Sequence, residues 1–435
     1  MPRASLPESP AGARAADPQA APRTPGTALR QRLAELRGPD VRPQPLDARA
    51  LAALAANPGC GRRALLDGAG VPKAALAESL GSPSGFGQSQ FAFMRGHAFE
   101  ARVKSDGGTE LLRLTHACLG GGPEPEPGTA RVPDLTAAGP EGRAGRTALA
   151  LREATAAGAW TLLDHPMLAL DVAGTPAFLE PDAVVVAPDG TWTVVEIKSF
   201  PMIDGAADAA KVGAAARQAA VYVLALERVA AQVAAQDSGQ GTSQGASQAG
   251  GGAGLVPEVR QRALLVCPKD FSNLPAASPV DIRKQLAVTR RQLSRLTRVE
   301  DIAATLPPGT TFDVNRPAAE LAAAVDAVPA TYAPECLAAC ELAFHCRDRA
   351  RAAGELTSLG RSLRADLGTL TTVEEALAAA RGAAGDPDDP AVVALRWAGA
   401  LRAEALGEPW GGSASETSSD GVASTAAVAG GVRCP

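Results

Sequence analysis

The sequence predicts an α/β protein, and three stretches carry this prediction. Residues 180–199 read as two β-strands, rich in Val and Thr, on either side of the turn sequence Pro-Asp-Gly at 188–190, which is typical of a hairpin. Residues 206–235 have the clearest helical periodicity of the chain, with one apolar side. Residues 259–267 alternate like a buried strand. Strands and helices are therefore both expected in the core.

Composition narrows the class of protein. The chain has 435 residues, enough for two or three compact units, and 46% of them are hydrophobic but only 3% aromatic, so helices are expected to pack through small side chains. A net charge of −5 gives no overall attraction for nucleic acid, so a polyanion site must be a local basic patch. No apolar run approaches the roughly 20 residues of a membrane span, and the N-terminus lacks an apolar signal region, so we expect a cytoplasmic protein without a membrane partner.

Composition shifts along the chain predict its organisation. Segments rich in Pro, Ala, Gly, Ser or Gln that lack periodicity are read as tails, loops or linkers. The predicted parts are a disordered N-terminal tail (1–26), a core unit (27–355) that contains a mobile loop (119–145) and a low-complexity linker (237–254) and is closed by a cysteine cluster (336–346), C-terminal helices (356–410) and a disordered C-terminal tail (411–435).

The hairpin places ionisable side chains on one face of a sheet. If Ala187 faces Thr191 across the turn, Asp182 lies opposite Glu196, with Cβ atoms roughly 5 Å apart, and Lys198 projects from the same face. Two carboxylates at this separation repel unless a divalent cation such as Mg²⁺ or Mn²⁺ lies between them. The lysine then orients or activates a water, or stabilises charge on a phosphate. A surface hairpin with scattered charges is the alternative.

Other helices carry candidate polar residues. Gln218 and Tyr222 are spaced i, i+4 on the helix at 206–235 and so share a face. An amphipathic helix near residues 91–102 bears His97 and Glu100. A predicted helix at 281–299 is rich in arginine, which suits either phosphate contacts or a solvated basic face.

Three of the seven cysteines lie within eleven residues, at Cys336, Cys340 and Cys346. In a cytoplasmic protein such a group favours metal or cluster chemistry over disulfides. Cys60 is the best fourth ligand, since it precedes a predicted helix, where backbone N–H groups favour a thiolate. Four thiolates suit a [4Fe–4S] cluster or a structural zinc ion. The alternatives are a zinc site that uses His345 with the three late cysteines, and buried thiols without a metal.

Taken together, these residues resemble the RecB-like branch of the PD-(D/E)xK nucleases, in particular its iron–sulfur members, which include CRISPR-associated RecB-like exonucleases and AddB-type nuclease domains. The resemblance covers roughly residues 57 to 350, and its specificity lies in the order of the motifs. The matching positions are Cys60, Gly96-x-x-Phe-Glu100, Asp182, Glu196-Ile197-Lys198, Gln218-x-x-x-Tyr222, and Cys336, Cys340 and Cys346.

The resemblance implies a restriction-endonuclease-like core, in which a central mixed β-sheet is flanked by helices, with a C-terminal helical region and cysteine cluster. It also implies roles for the matched residues. Asp182, Glu196 and the carbonyl of Ile197 would bind the metal, Lys198 would assist the attacking water, Gln218 and Tyr222 would support the site and contact DNA, and Cys60, Cys336, Cys340 and Cys346 would hold a [4Fe–4S] cluster.

Two departures from the family pattern change these expectations. Glu100 stands where relatives usually have a metal-binding His, so we expect Glu100 to be a metal ligand, with His97 only its neighbour. The first two late cysteines are spaced C-x₃-C where C-x₂-C is commoner, which keeps both on one helix face and alters the geometry of the cluster.

The expected function is that of an Mg²⁺- or Mn²⁺-dependent deoxyribonuclease, an exonuclease on single-stranded DNA or DNA ends, in DNA repair, recombination or phage defence. Its expected partners are DNA, on whose bases Tyr222 could stack, and a helicase, because the chain has no helicase motif of its own. The alternatives are a DNA-binding iron–sulfur or zinc scaffold or redox sensor with weak or lost nuclease activity, and a nuclease that acts on RNA.

Overall fold

The computed structural model describes residues 25–83, 90–239 and 257–407, and the chain divides into two compact units, Met1–Asp348 and Arg349–Pro435. Nearly all of the predicted N-terminal tail, most of the predicted linker and the predicted C-terminal tail lie outside the described residues. The boundary after Asp348 lies seven residues before residue 355, where the core unit was predicted to end.

The first unit is a mixed β-sheet flanked by helices. The helices that precede the sheet are α1 (Pro25–Arg37), α2 (Ala48–Ala56), α3 (Gly61–Ala69), α4 (Lys73–Ser79), α5 (Gln90–Val103), α6 (Ser105–Leu119) and α7 (Gly139–Ala157). Those that connect or follow its strands are α8 (Ala209–Gly239), α9 (Arg283–Leu293), α10 (Val299–Ala304), α11 (Ala318–Asp326) and α12 (Ala343–Ala352), the last of which runs past the unit boundary.

The strands form one main sheet and one small one. In chain order they are β1 (Thr161–Asp164), β2 (Leu168–Val172), β3 (Thr175–Leu179), β4 (Ala183–Val186), β5 (Thr191–Ile197), β6 (Glu258–Val259), β7 (Arg262–Pro268) and β8 (Pro275–Asp281). The main sheet has the order β1-β4-β5-β7-β8, with β6 also paired to β5. β5 and β7 are parallel and are linked through α8, whereas the other neighbours on this path are antiparallel. The mixed sheet expected from the sequence is therefore present.

The β4–β5 hairpin has the predicted register. Ala187 N donates to Thr191 O at 2.9 Å, and Val186 lies opposite Trp192. Gly190 closes the turn with a φ of +84°, a backbone conformation that favours glycine. Continuing this register by one pair beyond Ala183 brings Asp182 opposite Glu196.

Both faces of the hairpin are buried, because side chains alternate along each strand. One face, which includes Val184, Val194 and Trp192, packs in the core that contains the apolar residues of α8. The opposite face, which includes Val185 and Val195, packs with residues of α5 and α6. The indole N–H of Trp192 donates to Thr155 Oγ1 at 2.8 Å, so this fully buried ring keeps its hydrogen bond.

Several predicted elements differ in extent from those observed. Residues 168–179, which precede the hairpin, form the separate β2–β3 pair. The predicted loop at 119–145 is irregular only from Gly120 to Ala138, because α7 already begins at Gly139 with a proline in its first turn, a position that suits proline. The basic helix predicted at 281–299 is shorter, since α9 ends at Leu293.

The second unit is helical where it is described. It contains α13 (Arg361–Asp366), α14 (Val373–Ala380) and α15 (Pro390–Leu406) around a small apolar core. Thr372 and Glu375 form a reciprocal capping box at the start of α14. Among the described residues of the whole chain, no helix has the length and apolar character needed to cross a membrane.

Candidate functional site

Asp182 and Glu196 meet where the hairpin strands end. Asp182 precedes β4, and its Oδ2 accepts a hydrogen bond from Ile197 N at 2.6 Å. This bond crosses the hairpin and fixes the aspartate beside Glu196, as the predicted pairing requires. The backbone N of Lys198 donates to Val266 O at 2.9 Å, so the neighbouring strand β7 holds the lysine in place.

Glu196 is the most buried acid of this group, with 2% of its surface exposed. Lys198 Nζ lies 2.5 Å from Glu196 Oε2 and 3.9 Å from Asp182 Oδ2. Lys198 is thus the close partner of Glu196 Oε2, whereas Glu196 Oε1 has no hydrogen-bond partner among the described residues. A buried carboxylate is costly to ionise, and the ammonium group offsets part of that cost.

Electrostatics at the site follow from burial and from the two neighbouring acids. Burial raises the pKa of Glu196, Lys198 lowers it and the charge of Asp182 raises it, with a net pKa of about 7. Burial alone would lower the pKa of Lys198, but the charges of Glu196 and Asp182 outweigh burial and raise it. Lys198 therefore stays an ammonium ion between two carboxylates.

Gln218 and Tyr222 share one face of α8, as predicted, and their side chains are joined. Gln218 Nε2 donates to Tyr222 Oη at 3.1 Å, and the tyrosine hydroxyl donates to Glu180 O at 3.1 Å. The pair thus ties α8 to the segment that leads into Asp182. The tyrosine is only 5% exposed, so the expectation that its ring stacks on a DNA base is not met by this arrangement.

Glu100 was expected to bind a metal ion together with Asp182 and Glu196, but it contacts a lysine and a histidine instead. Its Oε1 lies 2.5 Å from Lys104 Nζ and 3.0 Å from His165 Nε2. The hydrogen bond from His165, followed in effect by Lys104, lowers the pKa of Glu100 to about 2 in spite of partial burial. The neighbouring His97 is exposed and is not one of these two partners.

The expected metal ligands do not form one group of three or more in the described part of the chain. The described part of the chain holds no group of three or more His, Cys, Asp and Glu side chains arranged to bind a metal ion. Asp182 and Glu196 offer two adjacent carboxylates, the ligand type that Mg²⁺ and Mn²⁺ prefer, although Lys198 already lies 2.5 Å from Glu196 Oε2. Glu100, which was expected to complete this set, contacts Lys104 and His165 instead.

The four predicted cluster cysteines line a single cavity in the first unit. Cys60 immediately precedes α3, Cys336 lies in a 3₁₀ helix (Pro334–Ala338), Cys340 follows that helix, and Cys346 belongs to α12. Asn57 and Cys336, which contact each other here, are separated by 279 residues in the sequence. The fold thus brings the early cysteine to the three late ones.

Nitrogen donors surround the sulfur atoms of this cavity. Asn57 Nδ2 donates to Cys336 Sγ at 3.4 Å, and Arg62 Nη1 donates to Cys346 Sγ at 3.2 Å. Arg62 and Arg63 are each only 6% exposed, although both carry a charge. Burial raises the pKa of the Cys340 thiol to about 12, while Arg63 lowers it. Four cysteine side chains thus line one cavity, with a buried guanidinium group donating to one of their sulfurs, although no group of three or more ligands in the described residues is already spaced for a metal ion.

The rival zinc assignment included His345. Its Nε2 lies 3.1 Å from Asp326 Oδ1, and the residue is not among those that line the cavity. The geometry therefore groups Cys346 with Cys60 and separates it from the adjacent histidine.

Several arginines in the predicted basic helix at 281–299 form ion pairs with acidic residues of the protein. In α9, Arg283 pairs with Asp281 at 2.5 Å, and beyond the end of α9 Arg298 pairs with Glu300 at 3.5 Å. Arg290 also forms an ion pair, with Glu227 of α8. These contacts favour the solvated basic face over a surface dedicated to phosphate.

Sequence reasoning missed several residues that contact the predicted ones. The contact between Lys104 and Glu100 could have been predicted, because residues four apart on a helix are neighbours and lysine occurs only six times in the chain. The others carry no motif. They are Asn57, Arg62 and Arg63 at the cysteine cavity, and Arg143, Asp164, His165 and Glu180 near Glu100.

Comparison of the chain with protein-family models, with curated proteins and with solved structures finds no match in any of the three. Any function assigned to this protein therefore depends on the chemistry of its own side chains.

Proposed function

We propose that this protein is a metal-dependent DNA nuclease whose catalytic site is formed by Asp182, Glu196 and Lys198. The observation that carries the proposal is the buried Glu196 carboxylate, which lies beside a second acid, Asp182, and 2.5 Å from the Lys198 ammonium through its Oε2, while its Oε1 has no hydrogen-bond partner among the described residues. One ammonium group leaves one negative charge of the two carboxylates unbalanced. This arrangement suits a site that receives a cation.

Each side chain of the site would have a separate role in phosphodiester hydrolysis. A bound Mg²⁺ or Mn²⁺ would lower the pKa of an attacking water and polarise the phosphate. Asp182 and Glu196 would hold that ion, with the Ile197 carbonyl as a further ligand by resemblance. Lys198, kept charged by both acids, would orient the water or stabilise negative charge that develops on the phosphate. Gln218 and Tyr222 would keep the residues before Asp182 in place through the Glu180 carbonyl.

The arrangement of the main sheet supports a restriction-endonuclease-like core as the fold of this unit. An antiparallel hairpin carries the acids and the lysine, and its second strand pairs in parallel with β7 after the long helix α8. α8 in turn presents Gln218 and Tyr222 to the hairpin. The order of these parts follows the order of the motifs on which the resemblance rests.

For the cysteine cavity we propose a structural [4Fe–4S] cluster held by Cys60, Cys336, Cys340 and Cys346. The support is the convergence of these four side chains on one cavity and the N–H donors to two of the sulfurs. A zinc ion in the same four-thiolate set is the competing occupant. The cavity's position between early and late segments of the unit suits a structural role.

Single-stranded DNA or DNA ends are the proposed substrate, with exonucleolytic action and a helicase partner, and these assignments rest on the resemblance alone. DNA repair, recombination or phage defence is the corresponding setting. The alternative, a DNA-binding scaffold or redox sensor, would retain the cysteine site and bind DNA without cleaving it.

The test uses anaerobically purified protein, Mn²⁺, and single-stranded DNA labelled at either the 5′ or the 3′ end, with matched RNA in parallel. We expect cleavage by the wild type, loss of cleavage in Lys198→Ala, and wild-type cleavage in the control Lys269→Ala, which removes an exposed lysine. The label that is released first gives the polarity. DNA that is bound but left intact would overturn the nuclease proposal in favour of the scaffold, and cleavage by Lys198→Ala would overturn the proposed site. A visible absorption spectrum and the iron and zinc contents of the same sample identify the occupant of the cysteine cavity.

A further inference from the structure

The most exposed large apolar side chain of the described residues lies close to the candidate active site. Phe271, in the turn between β7 and β8, is 88% exposed, and Leu274 of the same turn is 55% exposed. Ile203, in the loop that joins β5 to α8, is 42% exposed. Apolar residues that are exposed singly need no explanation, whereas a group of them on one surface marks a site of contact. We call these three side chains the exposed tip.

Hydrogen bonds between the turn and the loop hold the exposed tip together. Met202 N donates to Pro268 O at 2.8 Å, and Asp270 N donates to Met202 O at 2.8 Å. Asp204 N donates to Asp270 Oδ1 at 3.2 Å. The side chain of Met202 is buried in a cluster with Leu265 of β7. The exposed tip therefore stands on a buried and hydrogen-bonded support.

The exposed tip lies at the edge of the sheet that carries Lys198. β5 and β7 are parallel, so both strands end at this edge, and Lys198 N donates to Val266 O at 2.9 Å. From Val266 the chain needs five residues to reach Phe271, and five residues span at most about 18 Å. Successive nucleotides of a duplex strand are about 3.4 Å apart. A strand whose phosphate lies at Lys198 thus has bases within reach of Phe271.

An exposed phenyl ring beside this site suits the face of a nucleic-acid base. Stacking requires an aromatic ring that is open to solvent, and every base has a face that can stack on it. Tyr222, to which the sequence assigned this contact, is only 5% exposed. Asp204 and Asp270 border the exposed tip, so it does not form a cationic track for phosphates. The contact that it offers is to bases.

We propose that Phe271 stacks on a base of the single-stranded DNA that enters the active site, with Ile203 and Leu274 extending the apolar surface that the base covers. The inference takes its ligand from the proposed nuclease function and names the residue that contacts it. Phe271 lies outside the group formed by Asp182, Glu196 and Lys198, so the stacked base contributes to binding of the strand and not to the chemical step.

Binding of fluorescein-labelled single-stranded DNA to the full chain in EDTA, followed by fluorescence anisotropy, measures this contact without cleavage. We expect Phe271→Ala to bind about 5- to 150-fold more weakly than wild type, the range given by loss of one stacked base. Phe271→Tyr keeps the ring and should bind within about threefold of wild type. Phe271→Leu keeps only apolar area and should bind like Phe271→Ala. The control is Trp397→Ala, which removes an aromatic side chain that is 68% exposed in the second unit and should bind as wild type.

A second measurement uses DNA in which a single abasic site is moved along the strand. In wild type, one position of the abasic site should weaken binding by about the same factor as Phe271→Ala. In Phe271→Ala that position should have no further effect, because the missing base and the missing ring remove the same contact.

Equal binding by wild type and Phe271→Ala would overturn the stacking contact and leave the exposed tip to a protein partner. Wild-type affinity in Phe271→Leu, or an abasic site that weakens wild type and Phe271→Ala equally at every position, would also overturn it. So would wild type that binds no single-stranded DNA. Wild type that binds DNA but does not cleave it in Mn²⁺ would remove the nuclease function alone, since weaker binding by Phe271→Ala would still support the contact.

Discussion

Asp182 accepts a 2.6 Å hydrogen bond from the backbone N–H of Ile197, directly across the hairpin and beside Glu196. One carboxylate thus has both a structural contact and a place in the proposed metal site. The two contributions can be separated, because an asparagine amide oxygen also accepts a hydrogen bond but carries no charge.

Asp182→Asn should keep the fold and lose the activity. The variant retains an acceptor for Ile197 N, so its thermal midpoint should stay near that of wild type, while single-turnover cleavage of labelled DNA should fall on the order of 10²–10³-fold because a charged ligand is lost. The matched control is Asp189→Asn at the exposed turn, which should cleave normally. Cleavage by Asp182→Asn at the wild-type rate would exclude Asp182 from the site.

Glu196 should make the stability of metal-free protein depend on pH. Burial raises its pKa from 4.5 to about 7, so between these values the folded chain keeps a proton that the unfolded chain releases. The free energy of unfolding should therefore fall as pH rises through this window, by on the order of 3 kcal/mol in total. Urea denaturation in the presence of a chelator, at several pH values, measures this slope.

The control for that measurement is Glu196→Gln, which cannot titrate. We expect its slope between pH 4.5 and 7 to be shallower than that of wild type, whereas Glu258→Gln, at an exposed position, should behave as wild type. Equal slopes in wild type and Glu196→Gln would show that Glu196 does not keep a proton in the folded state.

Tyr222→Phe tests whether the tyrosine positions the hairpin or binds DNA. The phenyl ring remains, but the Glu180 carbonyl loses its donor and Gln218 loses its acceptor, at a cost of about 1 kcal/mol in stability. We expect kcat to fall several-fold with little change in KM for DNA. A higher KM with unchanged kcat would instead place the hydroxyl in contact with the substrate.

Cys60→Ser should remove the proposed metal centre of the cysteine cavity. One of four sulfur ligands is lost from a cavity that joins the segments around residues 57–63 and 331–346, so iron content and visible absorption should fall and proteolysis of both segments should accelerate. Cys118→Ser is the control, since Cys118 does not line the cavity. If Cys60→Ser and Cys118→Ser retain iron equally, Cys60 is not a ligand.

Local chemistry explains which parts of the fold could be read from the sequence. The hairpin register follows from the turn, because the glycine with a φ of +84° fixes which residues close it. Counting residue pairs back from the turn then places Asp182 opposite Glu196. The contact between Gln218 and Tyr222 follows from helical spacing. The convergence of Cys60 with the late cysteines was expected because cysteine is scarce and three copies are clustered, even though no local rule links them.

Contacts that depend on tertiary structure could not be read in this way. β1 has only four residues, too few for a clear alternation, so this edge strand was not predicted. Glu100 matched a metal-ligand position, but its actual partners include His165, which approaches only because β1 pairs with β4 and ends beside Asp182. The buried Arg62 and Arg63 resemble surface arginines in sequence, and only the packing of α3 against the cysteine cavity distinguishes them.

The cysteine cavity also has a consequence for how the chain is made. Asn57 and Cys336 are 279 residues apart, and a ribosome adding 5–20 residues per second needs roughly 15–60 s to cover that distance. During this interval Cys60 and its neighbouring arginines emerge without the sulfur atoms that will face them. Under the proposed cluster assignment, loading of the cavity would follow synthesis of nearly the whole first unit, so the supply of metal would set when this unit reaches its final form.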